Sequence, residues 1–559
     1  MPHVLLDELE NCFLDALRFC CPLISLIPAT FKCVFRTFIS LKRSSQTILH
    51  WFYFQILELT FEVLNFPKRK ACVPPLNDPL PFLSATTAAE RIRNKTLRSV
   101  DLVSAYVRRT EEVNCLINAI SEENFDEALS NAAKVDSMLA SADAATTKRI
   151  CKSRPLLGVP FCVTDNLAIA GLPVTKGCTE RRIICRNDAD IVRTIKEAGG
   201  ILLGVCRVSE AMISEEVGDA NEGSTKNPFD LRRSAGGSVA LGALVSSACT
   251  PLAIGADFDG ALRRSACANG VFAFTYSNSL HTVGQIFHNG FCEKSFQSEL
   301  YSTGSMVRFY EDLVLCSKIF DPYSELKKIG LPMKVFYIEE FPPEVRCESP
   351  SKQIRRQLRE VIRVLEEHHS LPTYRLALRV MKHASRIHKS TFEDFEGAAL
   401  ADFVAKSRGD LGGSGLYVEL MKALFGSSRQ TIPVLFSILR KRLLKSDNSE
   451  NRAFQVRLES FRKNLSELLK RENGVLISLS SPTTPRFQNY SLFSEKNVVY
   501  TSLWSALALP TLQCPVGFDG CLPMGIQISG AHGSEETILN VARMVTKRFG
   551  GWQQPRLTA

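Results

Sequence analysis

The segment Ser234–Ser238 has the sequence Ser-Ala-Gly-Gly-Ser and leads into small and apolar residues that continue to about Ala248. This pattern predicts a helix that opens at the glycine pair and carries Ser238 at its N-terminus, where backbone N–H groups favour a developing negative charge. A second segment, Asp257–Ala261 (Asp-Phe-Asp-Gly-Ala), follows a strand-like run and is expected to form a loop. Gly260 would let its backbone approach the surroundings closely. Capped helices of this type are common, so spacing alone favours a structural role.

Strand-like apolar runs alternate with helical patterns along most of the chain. The runs are Leu156–Val163, Ile201–Val205, Pro251–Gly255, Val475–Leu479 and Gly525–Ser529. Thr87 and Glu90 have the spacing of a capping box, and Ser99 is expected to cap a second helix. No low-complexity linker or repeat interrupts residues 82–559. We therefore expect one large α/β domain, with a twisted mixed β-sheet covered on both sides by helices.

The composition of the 559 residues is that of a globular protein, with 45% hydrophobic and 23% charged residues. It excludes disordered, collagen-like and disulfide-stapled proteins. The net charge of +10 is spread along the chain, which argues against a nucleic-acid partner. The 18 cysteines form no Cys-x-x-Cys pair and the histidines form no His-Glu-x-x-His motif. We therefore expect free thiols in a reducing, intracellular compartment, with no metal centre and no cofactor.

Residues 1–66 are unusually rich in Phe, Leu, Ile and Trp, which predicts an apolar helical segment associated with a membrane. No uncharged run reaches the roughly 18 residues that a spanning helix needs, and early acidic residues argue against a cleavable signal peptide. A narrow polar stripe at helical spacing consists of Gln55, Glu58, Glu62 and Asn65. Such a helix suits a membrane interface or a hydrophobic dimer seam, and the alternative is an arm packed on the protein itself.

Two further features favour contact with an anionic membrane surface. Residues 67–81 contain five prolines and are expected to form a linker, which begins with the basic cluster Lys68–Lys70. Residues 416–444 combine many apolar side chains with the basic cluster Arg440–Arg442. This combination predicts a pair of apolar helices that rests on the bilayer. An ordinary helical hairpin over the core is the structural alternative.

Several separated motifs follow one another along the chain. They are Leu157–Pro160, Lys226–Asp230, Gly236–Ser238, Ser505–Pro510, Gln513–Pro515, Leu522–Gln527 and Phe549–Trp552. These motifs resemble the amidase-signature family, and within it the fatty-acid amide hydrolase 2 group, and the resemblance extends from about Ser84 to Pro555. By their number and order the chain is identified as a member of this family, which implies the amidase-signature fold.

The resemblance implies hydrolysis of amide C–N bonds by a Ser-Ser-Lys mechanism. In that mechanism a neutral lysine accepts a proton from a bridging serine, which in turn activates a nucleophilic serine. The lysine follows a Gly-Val-Pro-x-x-Val pattern, and here Gly158–Val163 is followed by Thr164. The bridging serine corresponds to Ser238, and the nucleophile corresponds to Ala261. Two of the three catalytic groups are therefore replaced.

The loop that should form the oxyanion hole is altered as well. It corresponds to Phe258, Asp259 and Gly260, and Asp259 replaces a glycine. We expect its carboxylate to oppose the negative charge that such a site should stabilise. A threonine hydroxyl is not a useful proton acceptor near neutral pH. Loss of a nucleophile or its base commonly costs on the order of 10⁴–10⁶ in kcat.

These changes predict a catalytically silent pseudo-amidase that is associated with a membrane and binds a fatty-acyl amide or serves as a scaffold. It would act as a homodimer or together with an active relative. The alternative is a weakly active hydrolase of fatty-acid amides that uses a displaced group. The candidates for that group are Ser265, Cys249, Cys267 and Lys176. A chain without a maintained role is a third reading.

Overall fold

The computed structural model describes residues 48–178, 182–212, 214–219, 223–277, 302–321, 333–392, 415–425, 427–428, 430–443 and 448–557. The chain divides between Thr60 and Phe61 into two compact units. The smaller unit is described over residues 48–60, and the larger unit begins at Phe61. The part of the expected membrane segment that precedes residue 48 lies outside the described residues.

An eleven-stranded sheet forms the centre of the larger unit. In spatial order its strands are β1 (Ile120–Glu123), β5 (Ile201–Cys206), β2 (Pro160–Thr164), β10 (Leu252–Asp257), β12 (Ser302–Val307), β11 (Phe272–Thr275), β16 (Thr511–Asp519), β17 (Leu522–Ser529), β15 (Val475–Leu479), β13 (Val335–Tyr337) and β14 (Thr373–Arg375). Three two-stranded sheets consist of β3 (Pro173–Val174) with β4 (Ile183–Ile184), β6 (Gly218–Asp219) with β7 (Gly223–Ser224), and β8 (Lys226–Asn227) with β9 (Asp230–Ser234).

Parallel and antiparallel neighbours both occur in the large sheet. Strands β5, β2 and β10 run parallel, as do β15, β13 and β14. The neighbours from β10 through β12, β11, β16 and β17 to β15 are antiparallel. All five predicted apolar runs contain strands, because strands buried on both faces have continuous apolar sequences. The α/β class and the large mixed sheet are confirmed.

Helices connect the strands and pack against the sheet through apolar stripes. The described helices are α1 (48–65), α2 (Ala85–Arg93), α3 (Ser99–Ile117), α4 (Phe125–Ser141), α5 (Ala144–Ser153), α6 (Asp190–Glu197), α7 (Leu241–Ser246), α8 (Ala261–Ala268), α9 (Tyr310–Phe320), α10 (Lys352–Glu367), α11 (384–392), α12 (Gly415–Leu424), α13 (Ile432–Leu443), α14 (Asn448–Arg471), α15 (Val499–Ala506) and α16 (Glu535–Phe549). In α16 the residues Ile538, Val541 and Val545 are fully buried, at the spacing of one helical face.

The starts of α2 and α3 differ from the predicted caps. Helix α2 begins at Ala85, and Ser84 is its N-cap because the Ser84 Oγ accepts a hydrogen bond from the Thr87 N–H at 3.0 Å. Thr87 therefore lies in the first turn. Helix α3 begins at Ser99, whose N–H donates to the Asp136 carboxylate at 2.7 Å. The capping-box prediction was wrong by three residues, and the cap of α3 comes from a distant residue.

Part of the proline-rich stretch is held to the larger unit by backbone hydrogen bonds. The Val73 N–H donates to the Pro228 carbonyl at 3.1 Å, and the Leu231 N–H donates to the Ala71 carbonyl at 2.8 Å. The side chain of Val73 is fully buried. Residues 71–73 therefore lie along the loop and strand at 228–231, and the domain boundary itself stays a prediction.

Helix α1 carries exposed apolar side chains over several of its turns. Trp51, Phe52 and Leu59 are each more than half exposed. Near the end of the helix, Phe61 packs with Tyr490 and Phe493. Among the helices in the described ranges, none is long and apolar enough to cross a membrane. The N-terminal anchor therefore stays a prediction.

Helices α12 and α13 form the expected apolar pair. Its buried core consists of Leu416, Val434, Leu435 and Ile438. Four apolar side chains of α12 and the residue after it are more than half exposed, namely Tyr417, Val418, Met421 and Phe425. The pair therefore buries one apolar face and leaves another in solvent.

Candidate active site

The ends of two parallel strands bring the predicted base and nucleophile positions to one edge of the sheet. Strand β2 ends at Thr164, and its neighbour β10 pairs with it up to Ile254 and Val163. A Cβ on the next residue of β10, Gly255, would lie 3.2 Å from the Thr164 Cγ2. The chain leaves β10 after Asp257 and enters α8 at Ala261. The carboxyl ends of neighbouring parallel strands are where sites form in sheets of this kind.

The turn before α8 depends on Gly260. Its φ of 93° lies in the left-handed region, where a side chain is unfavourable. A Cβ at this position would also lie 2.3 Å from the Thr501 Cβ. The close backbone approach expected of this glycine is confirmed. The turn places Ala261 first in the helix, where its buried methyl group offers no electron pair.

Ser238 does not open a helix. The two preceding glycines, Gly236 and Gly237, have φ values of 71° and 66°, and consecutive left-handed residues cannot start an α-helix. Helix α7 begins only at Leu241 and ends at Ser246. The predicted helix from the glycine pair to about Ala248 was therefore wrong, and so was the N-terminal position of the serine.

A backbone contact nevertheless brings Ser238 near Ala261. A Cβ on Gly237 would lie 2.4 Å from the Ala261 carbonyl oxygen, so the residue before the serine rests directly on the start of α8. The Ser238 carbonyl accepts a hydrogen bond from the Ser209 N–H at 2.9 Å. The Ser238 residue is partly exposed to solvent. The structure thus places Ser238 directly after a residue that contacts Ala261.

Thr164 is fully buried, and its hydroxyl donates to the Asn166 Oδ1 at 2.6 Å. The proton of this hydroxyl is therefore engaged with a strong acceptor. An alcohol that is already a donor supplies no basic electron pair comparable to that of a neutral amine. In chemical terms, the residue at the predicted base position does not act as a proton sink.

Asp259 does not stand alone beside the altered site. The Arg264 Nη2 donates to the Asp259 Oδ2 at 2.8 Å, and Nη1 donates to the Asp259 carbonyl at 3.0 Å. The same Nη1 donates to the Thr501 Oγ1 at 2.8 Å. Burial alone would raise the pKa of Asp259, but Arg264 and His388 together hold that pKa below its ordinary value. The expected repulsive carboxylate is present and ionised, and Arg264 neutralises it.

A second ion pair fixes the same turn from inside. The Arg263 Nε donates to the Asp257 Oδ2 at 3.0 Å, and Nη1 donates to the Gln527 Oε1 at 2.7 Å. The Leu262 N–H donates to the Asp257 Oδ1 at 3.1 Å. Both charged side chains are almost completely buried. This network ties the start of α8 to β17 and holds the turn in place.

The structure describes the surroundings of the four groups that the sequence offers as a displaced catalytic group. The buried Ser265 Oγ donates to the Val239 carbonyl at 2.8 Å and accepts from the Gly242 N–H at 3.1 Å. Burial raises the pKa of Cys249 and of Cys267 to about 12, so both thiols stay protonated near neutral pH. The Lys176 N–H donates to the Asp165 carbonyl at 3.3 Å in a turn near β2. Within the described residues, no group of three or more His, Cys, Asp or Glu could hold a metal ion.

Two adjacent acidic residues, one of which is bridged to Gly237, were missed by sequence reasoning. Glu216 is bridged to Gly237, and its carboxylate accepts from the Asn489 N–H at 2.8 Å and from the Ser491 N–H at 3.2 Å. Burial raises the pKa of Glu215 to about 8, although Arg264 lowers it. In the sequence, these residues look like an ordinary solvated charge pair. Only the fold brings them to the edge of the site.

Known proteins give an independent identification. The family model described as Amidase matches residues 101–539. Fatty-acid amide hydrolase 2 of Homo sapiens is 31% identical over 514 residues, which cover 88% of this chain and 94% of that protein. Fatty-acid amide hydrolase 2-B of Danio rerio is 29% identical over 500 residues, with 87% and 93% covered. A solved fatty acid amide hydrolase has a TM-score of 0.67 at 18% identity, covering 86% of this chain and 87% of that one. The chain belongs to the amidase-signature family.

Proposed function

We propose that this chain is a catalytically silent member of its family, a pseudo-amidase that is attached to a membrane surface and binds a fatty-acyl ligand at the residual site. The observation that carries the proposal is the methyl group of Ala261 at the first position of α8. Covalent catalysis requires a nucleophile at the point where the carbonyl is attacked. At the corresponding position, this chain offers none.

The surroundings of Thr164 support the same conclusion. Its hydroxyl is a hydrogen-bond donor to Asn166, so the proton that a base should accept is already in place. Losses within one catalytic unit do not add, and either replacement alone would cost on the order of 10⁴–10⁶ in kcat. A hydrolase that uses Ser265 instead is disfavoured, because both hydrogen-bonding functions of that hydroxyl are engaged by backbone groups.

The exposed face of α12 supports attachment to a lipid surface. Tyr417, Val418, Met421 and Phe425 are spaced so that they lie close together on the helix, and each is more than half exposed. An apolar helical face of this kind can enter the head-group region without spanning the bilayer. Exposed apolar residues of α1 and the adjacent Lys68–Lys70 are consistent with a second point of attachment.

A fluorophosphonate probe together with a long-chain acyl amide tests the absence of catalysis. The purified full chain should show neither stoichiometric labelling nor turnover, with a fatty-acid amide hydrolase as the positive control. A Ser238→Ala variant shows whether any labelling occurs at Ser238, the retained and partly exposed serine. Stoichiometric labelling at Ser238 or at any other residue, or turnover above that of buffer, would contradict the proposal.

Flotation with vesicles tests the membrane part separately. The full chain should float with vesicles that contain anionic lipid, and Met421→Glu together with Phe425→Glu should reduce the floated fraction. Val456→Glu is the matched control, because Val456 is equally exposed but lies on α14. If the control reduces flotation as strongly as the double variant, α12 is not the attachment face. Pairing with a second copy or with an active relative stays a prediction.

A further inference from the structure

Residues 379–392 form a helical segment with a row of cations along one side. The segment consists of a short 3-10 helix (Arg379–His383) that continues directly into α11. Four exposed cations follow one another at spacings of three, four and three residues, namely Arg379, Lys382, Arg386 and Lys389. Such spacing places side chains on one side of a helix. The segment contains no Asp or Glu, so no side-chain carboxylate of its own neutralises this row.

The opposite side of the segment is packed against the protein. Met381, Ala384, Ile387 and Phe392 are buried in the main hydrophobic core. The ring of Phe392 lies 4.6 Å from the ring of Phe258, measured between centroids. Phe258 belongs to the loop predicted to form the oxyanion hole. The row of cations is therefore held in place from behind, on a segment that adjoins the altered loop.

A fifth cation comes from α14. The guanidinium carbon atoms of Arg386 and Arg457 lie 5.0 Å and 5.9 Å from the centroid of the Phe454 ring. The imidazole of His383 lies 5.6 Å from the same centroid. Cation–π contacts stabilise each guanidinium, but two like charges beside one ring also repel each other. These cations constitute the basic face, which consists of Arg379, Lys382, Arg386, Lys389 and Arg457.

Carboxylates neutralise the basic face only in part. Within the described part of the chain, Arg386 and Arg457 form no ion pair, and Lys382 lies 3.5 Å from Glu344. Burial lowers the pKa of His383, and three cations of the basic face lower it further. The opposing effect of Glu344 is smaller. The electrostatic potential at this surface is therefore positive.

Helix α10 shows that a row of arginines can be neutralised within the protein. Three of its arginines form ion pairs of 2.8–3.1 Å, namely Arg355–Glu340, Arg359–Glu339 and Arg363–Glu360. The two arginines that meet at Phe454 differ, because an aromatic ring takes the place of a carboxylate. A high density of cations alone does not explain this difference.

We propose that the basic face is a docking surface for an acidic segment of a partner protein, which presents several Asp or Glu side chains in succession. A guanidinium binds a carboxylate through two parallel hydrogen bonds. Arginine and aromatic residues are enriched in protein interfaces. Carboxylates between Arg386 and Arg457 would also relieve the repulsion between these two side chains. The inference is independent of the proposed loss of catalysis and of the proposed lipid attachment.

Two other anionic partners fit the basic face less well. A helix that enters the head-group region of a bilayer carries exposed apolar side chains beside its cations, and no large apolar side chain of residues 379–392 is exposed. A single-stranded nucleic acid stacks its bases on accessible aromatic rings. The ring of Phe454 is already in contact with two guanidinium groups and an imidazole.

Fluorescence anisotropy with a labelled decaglutamate peptide and the full chain tests the proposal. Arg386→Glu together with Arg457→Glu should weaken binding at least about tenfold, because each substitution replaces an attraction by a repulsion. Lys148→Glu together with Arg149→Glu is the matched control, because both residues are exposed on α5 and the net charge changes equally. At about 0.1 M salt the control should lose less than about twofold, since charges more than about 10 Å away are screened.

A second variant and a mapping experiment keep the test decisive. If Arg386→Glu/Arg457→Glu does not fold, Arg379→Glu/Lys382→Glu changes the other end of the basic face and leaves the packing of Phe454 in place. It should weaken binding at least about threefold. A decaglutamate peptide that carries a benzophenone at one end should crosslink to residues 379–392 or to α14. Crosslinks confined to other elements would overturn the inference.

The remaining outcomes are equally decisive. Absence of peptide binding, or equal losses in the double variant and in the control, would show that the basic face is not a docking surface. An oligouridylate of the same length that binds more tightly than decaglutamate, and loses affinity in the same variant, would assign the face to a nucleic acid. Reduced flotation of Arg386→Glu/Arg457→Glu with anionic vesicles, while peptide binding is unchanged, would assign it to a lipid surface. Each of these results would overturn the acidic protein partner.

Discussion

Two ion pairs on almost adjacent residues have very different surroundings. Asp257 and Arg263 expose at most 2% of either side chain, whereas Arg264 and Asp259 expose 10% and 21%. The inner pair is bonded to Gln527 on β17, and the outer pair is bonded to Thr501 on α15. The inner pair is part of the buried hydrogen-bond network that holds the turn before α8 in place. The outer pair lies beside Ala261, the position predicted for the nucleophile, so the two pairs meet within three residues of each other.

Removal of each arginine should produce the largest contrast. Arg263→Met leaves Asp257 buried without its partner and should lower the free energy of unfolding by about 3–5 kcal/mol. Arg264→Met leaves Asp259 in a partly solvated position, where screening reduces the loss to about 1–2 kcal/mol. Urea denaturation of both variants checks the difference. Equal losses of unfolding free energy would show that both ion pairs stabilise the fold to the same extent.

The turn glycine gives the next largest effect. Gly260→Ala forces a side chain into a left-handed φ and against Thr501, which should cost about 2–4 kcal/mol of stability. Gly520→Ala is the matched control, because Gly520 also has a positive φ of 59° but its added Cβ would have no neighbour within 4 Å. Only the strain of the backbone should appear in the control, at about 1 kcal/mol. A similar loss in both variants would show that Thr501 yields.

The strands of the central sheet were the part that sequence reasoning predicted well. Val475–Leu479 and the other runs are largely apolar over at least five residues, so burial on both faces follows directly from local composition. The motif positions Thr164, Ser238 and Ala261 were found because each keeps its distance from recognisable neighbours in the sequence. The parallel pairing of β2 and β10 then brings the strands that precede Thr164 and Ala261 side by side.

The contacts at the altered site were not predictable in the same way. Arg264 reaches Asp259 only because Gly260 turns the chain between them, and neither charge carries a local signal for this geometry. Glu215 becomes a perturbed acid through burial, and its neighbour Glu216 is bridged to Gly237. The helix expected from Gly236 fails because φ values cannot be read from a Gly-Gly pair. Tertiary contacts, rather than propensity, decided each of these features.

Glu215 predicts a pH-dependent stability on the side of the altered site. Its pKa rises from an ordinary value of 4.5 to about 8 in the folded chain. The folded state therefore holds the proton more tightly, and the stabilisation present below 4.5 is lost as the pH rises through about 8. Between about pH 5 and about pH 8.5 the unmodified chain should lose about 2 kcal/mol of stability relative to Glu215→Gln.

Denaturation by urea at both pH values, with the exposed Glu111→Gln as the control, measures this loss. The control should follow the unmodified chain, because Glu111 lies on the solvent side of α3. Parallel pH profiles for Glu215→Gln and the unmodified chain would show that Glu215 ionises normally.

Substitution of Ser265 on α8 should have the smallest effect on stability. It also best distinguishes a structural role of this residue from a catalytic one. Its hydroxyl joins the Val239 carbonyl to the Gly242 N–H, so Ser265→Ala should cost about 1 kcal/mol of stability. As a displaced nucleophile, the same residue would instead control turnover and probe labelling while leaving stability nearly unchanged. Measuring stability and labelling on one variant therefore separates the two roles. If Ser265→Ala lowers the stability and the unmodified chain shows no labelling, the Ser265 hydroxyl has a structural role.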